Sequence, residues 1–132
     1  MRPTDARRMP DPRRARGSIG EQTAADLLAR NGYEILERNF RTKYGELDVI
    51  AIDRGTLVFC EVRTRVGRNA ITYALESIGP AKRLQLRKMA REWLRLSTAE
   101  RPFTRGIRFD AVAVAITREG RVLSMEHVRD AF

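Results

Sequence analysis

GELDVIAIDRGTLVFCEVRT, residues Gly45 to Thr64, decides how the rest of this chain is read. Two runs rich in Val, Ile, Leu and Phe flank Arg54-Gly55, the pattern of a β-hairpin with strands Gly45–Asp53 and Thr56–Thr64. A two-residue loop sets Asp53 against Thr56, and the same register sets Asp48 against Glu61 and Glu46 against Arg63. A four-residue loop keeps that register, whereas an odd loop or a bulge at Gly55 slips it by one. Arg54 is not a residue that favours the positive φ of a tight turn.

In this register one face carries Glu46, Asp48, Ile50, Ile52, Leu57, Phe59, Glu61 and Arg63. The other carries Leu47, Val49, Ala51, Val58, Cys60 and Val62. Both faces are apolar over most of their length, which predicts central strands covered on both sides. Side chains opposed across a strand pair have Cβ atoms about 5 Å apart. Two ionised carboxylates at that distance repel by roughly 3 kcal/mol at an effective dielectric near 20. A divalent cation removes that repulsion, and hard cations such as Mg²⁺ take carboxylate oxygens. Two readings follow: Asp48 and Glu61 bind a metal, or a slipped register or a partner such as Arg63 separates their charges.

The chain has 132 residues, enough for one domain with a single core. No apolar run is long enough to span a membrane, and the N-terminal residues show no secretory apolar region, so a cytoplasmic protein is expected. Cys60 is the one cysteine and sits in an apolar strand, as a core residue of a reducing compartment would. The net charge of +9 favours a polyanionic partner, nucleic acid above all, over the bland alternative of an Arg-rich proteome.

Around the hairpin, Met1 to Gly17 reads as a disordered basic tail with prolines and arginines and little to bury. Ser18-Ile19-Gly20-Glu21 reads as a capping box opening a helix that stops at Gly32. Glu21 shares the inward face with Ala24, Ala25 and Leu28, so it is either the capping acid or a third acid of the site. Tyr33 to Arg41 reads as a strand. A short helix is expected over Ala70 to Ser77, and a stronger one starts at Gly79-Pro80. Leu86, Met89, Ala90, Trp93 and Leu96 form the apolar stripe of that second helix. Lys82, Arg83 and Arg87 head its cationic flank, where only Glu92 interrupts the positive charge, so these three are the expected phosphate contacts. After a polar loop over Ser97 to Arg105 come strands Ile107 to Ile116 and Arg121 to about His127. Asp110 is expected to pair with a nearby arginine, and His127 to be structural. No phosphate-cradling Gly-rich loop and no Ser/His/Asp arrangement is present.

The order of an inward Glu21, Gly-Glu-Leu-Asp on one strand and Glu-Val-Arg on the next resembles the PD-(D/E)xK nuclease pattern. More closely, the chain resembles the YraN-type family of predicted endonucleases, related to archaeal Holliday-junction resolvases. GSIGEQTAADLLARNGYEILERNFRTKYGELDVIAID, LVFCEV, the Lys82-to-Leu94 helix, RFD and HVRDAF carry the likeness, from Gly17 onward. The resemblance implies an α/β domain with a restriction-endonuclease-like mixed sheet flanked by helices. It implies a Mg²⁺ site (Mn²⁺ as substitute) from Asp48 and Glu61, assisted by Glu21, and hydrolysis of phosphodiester bonds in DNA, branched DNA included. It extends to a homodimer, for which the chain shows no dedicated surface. One departure stands out: the pattern puts Lys two residues after the second acid, where this chain has Arg63. Arginine stays protonated and cannot be a general base. Arg63 can hold the scissile phosphate or pair with Glu46, while Lys43 and Lys82 are candidate substitutes. The alternative function is a nucleic-acid-binding module that keeps the fold and has lost cleavage.

Overall fold

The computed structural model describes residues 12–97 and 105–132. Helix α1 (Pro12–Arg30) leads into a meander of β1 (Glu34–Thr42), β2 (Gly45–Asp53) and β3 (Thr56–Val66). Then come α2 (Ala70–Glu76), α3 (Pro80–Leu96), β4 (Ile107–Ile116) and β5 (Val122–Val128). The five strands form one sheet in chain order, antiparallel except for the β3–β4 pair, which is parallel over Leu57↔Ile107 to Val66↔Ile116. A parallel pair needs a crossover, and α2 and α3 supply it. This is the mixed sheet flanked by helices that the family resemblance implies, consistent with a restriction-endonuclease-like fold.

The hairpin forms as its spacing requires. Arg54 and Gly55 both take positive φ, 49° and 87°, a two-residue turn that matches the right-handed twist of the strands. The register then runs from Asp53↔Thr56 to Val49↔Cys60 as expected. Its two faces meet two separate cores. Val49, Ala51, Val58, Cys60 and Val62 pack with Ala24 and Leu28 of α1. Ile50, Leu57 and Phe59 pack with Leu86, Met89, Ala90 and Trp93 of α3. Leu47 breaks the alternation: it joins the α3-side core with Phe40 rather than following Val49 to the α1 side. Sheet geometry therefore changes at Asp48.

Two expectations are corrected, and one alternative falls. The helix starts at Pro12, not at Ser18, so Ser18 is no cap and residues 12–17 are helical. Proline suits a first helical position and the arginines that follow are good helix formers, so the helix continues upstream of the Ser-x-x-Glu signal. The rest of the expected tail, Met1 to Asp11, lies outside the described residues, as does most of the loop expected over 97–105. Leu96 is 49% exposed and leaves the α3 stripe, which is buried only from Leu86 to Trp93. Glu46 pairs with Arg41 of β1 at 3.4 Å and Arg63 with Glu61, so the Glu46–Arg63 ion pair, one of the two roles open to Arg63, is not the one formed.

Gly20 sets how closely α1 lies on the sheet. A Cβ there would run into the Thr64 hydroxyl of β3. The missing side chain lets the helix settle on the strand, and this brings its neighbour Glu21 to the end of β2 and β3.

Candidate active site

Beyond Val49↔Cys60 the regular β2–β3 ladder ends. There the Val62 amide donates to Asp48 Oδ2 at 2.8 Å, so a carboxylate accepts the hydrogen bond that a regular ladder would direct to a carbonyl. Asp48 thus sits in a fork between two strands. Carboxylate oxygens of Glu21, Glu46 and Asp48 lie within 4.8 Å of one another at this fork. They come from α1 and β2, and β3 adds Glu61 beside them.

The electrostatics are those of crowded anions. Burial pushes Asp48 up to about 8, and the charges of Glu61, Glu21 and Glu46 add to the push against the Val62 hydrogen bond. Glu21 is raised by burial and by Glu46, with Arg38 and Arg41 opposing. Glu61 is also raised by burial, although Lys82 and Arg63 counter it. Glu61 Oε1 faces Arg63 Nε at 3.4 Å and Lys82 Nζ at 3.8 Å. Its Oε2 is buried without a hydrogen-bond partner, and so is Arg63 Nε, which lies at ion-pair distance only. A buried acceptor left unmade costs about 1–3 kcal/mol.

Of the residues singled out in the sequence, Asp48 and Glu61 do come to the fork with Glu21, and Arg63 stands against Glu61. The three-acid cluster itself consists of Glu21, Glu46 and Asp48, with Glu61 outside it. Glu46 belongs to the site more closely than a partnership with Arg63 implied. Its signal was present: it lies two residues before Asp48, on the same expected face. Asn39 was missed altogether. With its amide nitrogen turned to the acids, it donates to Glu46 Oε1 at 2.8 Å and to Glu21 Oε2 at 2.9 Å. It reaches them because its backbone is left-handed, φ 56°. Asparagine is depleted in strands and tolerant of that conformation, so an Asn inside ERNFR was the available clue.

The expected phosphate contacts divide. Lys82 reaches Glu61, whereas the Arg83 guanidinium lies over the Phe132 ring at 5.8 Å and Arg87 over Phe109 at 5.0 Å. Of the chain's three lysines, Lys82 reaches the fork at Glu61, while Lys43 and Lys88 lie over the Tyr44 ring at 5.2 and 5.0 Å. Asp110 takes no part in the site. It accepts from Arg108, from the Asp130 amide and, at 2.8 Å, pairs with His127, while Tyr33 donates to it. The expected arginine partner and structural histidine are both seen there.

The fork offers oxygen ligands from several elements, an unpartnered buried carboxylate oxygen and two cations at its rim. That donor set suits a hard divalent cation better than a soft one. A sequence model of the Uncharacterised protein family UPF0102 matches residues 20–114. A UPF0102 protein of Moorella thermoacetica is 46% identical over 121 residues, 91% of this chain and 97% of its own length. One from Rhodococcus opacus is 46% identical over 118 residues, 89% of this chain and 96% of its own. One from Chloroflexus aurantiacus is 41% identical over 120 residues, covering 91% and 94%.

Proposed function

The chain belongs to the uncharacterised protein family UPF0102, and from that premise we propose that it is a metal-dependent endonuclease-like hydrolase of DNA. One observation carries the reading: in a molecule of net charge +9, four carboxylates from three elements crowd into one fork, and one of their oxygens is buried without a partner. Packing gains nothing from such a group. A cation would be held by Asp48 and Glu61, with Glu21 and Glu46 beside it, Mg²⁺ or Mn²⁺ by donor chemistry. When bound, it supplies an activated water and offsets charge on the reacting phosphate.

The chain's own groups do the rest. The Val62 amide fixes the Asp48 carboxylate, and Asn39 ties Glu21 to Glu46. Arg63, which stands against Glu61, contacts the scissile phosphate with its guanidinium. Lys82 brings an ammonium from α3 to Glu61, and we assign it the water-orienting part of the motif lysine, leaving the phosphate to Arg63. The resemblance to Holliday-junction resolvases makes branched DNA the finer form of this substrate.

Arg63 in the lysine position favours a second reading, a nucleic-acid-binding module without cleavage. Nicking of plasmid and of a four-way junction with Mg²⁺ or Mn²⁺ separates the two. Cleavage by wild type, lost in Asp48→Ala and lowered about 100-fold or more in Lys82→Ala, supports the enzyme. Salt-sensitive binding with no cleavage by any variant leaves the module, and no binding at low salt removes both.

A further inference from the structure

Two clefts open beside the acids. One, of about 470 Å³, is walled by Arg13 and Arg16 of α1 and by Arg63 and Arg65 of β3. The other, of about 720 Å³, is walled by Arg14 of α1 and Arg41 of β1. Gly17 and Glu21 line both, so the clefts lie on either side of one stretch of α1 and share the acidic centre. Six arginines thus line two clefts that reach Glu21 and Glu46 of the fork. Guanidinium groups match phosphate oxygens with their paired N–H donors, and a row of them on both sides of an acidic centre suits a charged strand passing across it.

Gly17 adds an independent sign. It lies inside α1, where glycine destabilises by about 0.5–1 kcal/mol relative to alanine. Gly20 has a packing reason in Thr64, but a Cβ built on Gly17 meets nothing within 4 Å. No neighbour in the described chain requires the gap. A bare helix surface at the floor of two arginine-walled clefts is what close approach of a bulky partner needs.

The α3 flank has a cleft of its own, about 340 Å³ and lined by Arg87, Arg91 and Arg108, but none of the four acids of the fork lines it. Arg83 donates to the Ile78 carbonyl and covers Phe132, and Arg87 covers Phe109. Phe109 is paired beside Phe59 in the parallel β3–β4 ladder, nearer the Arg54-Gly55 turn than Glu61 is.

We propose that the DNA backbone runs through these two clefts over Gly17, with Arg13, Arg14 and Arg16 of α1 as its principal phosphate contacts in place of Arg83 and Arg87. This rests on the reading of DNA as the partner, and it assigns where the strand lies. It also makes the early start of α1 functional: only a helix begun at Pro12 carries these three arginines to the fork.

The test is binding of a fluorescent DNA duplex in EDTA, so that cleavage plays no part, with affinity followed against salt. Replacing Arg13, Arg14 and Arg16 together by alanine is expected to weaken binding at least about tenfold and to reduce the log–log salt slope by about 2–3. Arg83→Ala/Arg87→Ala should leave the slope within about 1 of wild type. Gly17→Leu guards against a folding artefact: it should raise the melting temperature, because leucine is the better helix former, while weakening binding by filling the floor. If the triple variant keeps the wild-type slope, or the α3 pair loses more, the track lies elsewhere although DNA binding stands. If Gly17→Leu binds as wild type does, nothing approaches the helix there and the proposal fails. If wild type shows no salt-dependent binding at all, the functional reading falls together with it.

Discussion

Burial raises Asp48 to about 8, and the Glu61 charge adds to the effect. The folded, metal-free chain therefore holds a proton that the unfolded chain has released above its ordinary value of 3.8. The stability tied to this proton is complete below that ordinary value and is lost as pH rises through about 8. Metal-free wild type is expected to melt progressively lower from about pH 5 to about pH 9, whereas Asp48→Asn flattens the trend and gains on the order of 2 kcal/mol at the alkaline end. Thermal melts across that range check it, and Mg²⁺ should restore the alkaline loss in wild type only. Asp110 behaves in the opposite sense. Burial works against its ionisation, but hydrogen bonds from His127, Arg108 and the Asp130 amide outweigh that and hold its carboxyl far below the usual range. Its contribution persists above the ordinary carboxylate pKa and is lost only as pH falls well below it. Asp110→Asn leaves Arg108 short of its main partner in a largely buried network and is expected to cost about 3–5 kcal/mol by urea denaturation. The legible acids were those on a period-two pattern, Asp48 and Glu61. Asn39 was not legible as a site member, because a left-handed residue brings it in; Lys82 was legible as a candidate, but not its place beside Glu61, because a helix docked from a distance brings it there.

At the scale of elements, the spacing of α1 against β3 rests on Gly20. Gly20→Ala is expected to cost about 1–3 kcal/mol by overpacking against Thr64. Thr64→Ala should recover part of this, so a double-mutant cycle in urea should return a coupling of at least about 0.5 kcal/mol. Glu21 moves with the helix, so any activity should fall with the single variant and return with the double. The Arg54-Gly55 turn offers a gain. Arg54 sits at φ 49°, costly for a long side chain, and Arg54→Asn is expected to add about 0.5–1 kcal/mol without touching the site. Helix starts were the least readable elements. Ser18-x-x-Glu21 is a locally complete cap signal, yet cap propensity near 1 kcal/mol yields when upstream residues extend a helix already docked on a sheet.

Across the whole molecule, the two-faced apolar hairpin made an α/β layering legible, since strands apolar on both sides must be covered twice. Which neighbour β3 takes in parallel was not legible: IRFDAVAVAI would pack as well in any central position. No helix among the described residues is long and apolar enough to cross a membrane. Every acid at the fork comes from Glu21 to Glu61, while β4 and β5 bring the buried polar network at Asp110.

That division has a kinetic consequence. The β1–β2–β3 meander closes through tight local turns, whereas the β3–β4 pairing must wait for about 40 residues to cross over. The rate-limiting ensemble in refolding should hold the hairpin nearly complete and β4 barely engaged. Val58→Ala is expected to slow refolding nearly in proportion to its destabilisation, and Val112→Ala mainly to hasten unfolding, as stopped-flow chevrons would read. The carboxylates would then be forced together early, so a divalent cation present during refolding should accelerate it.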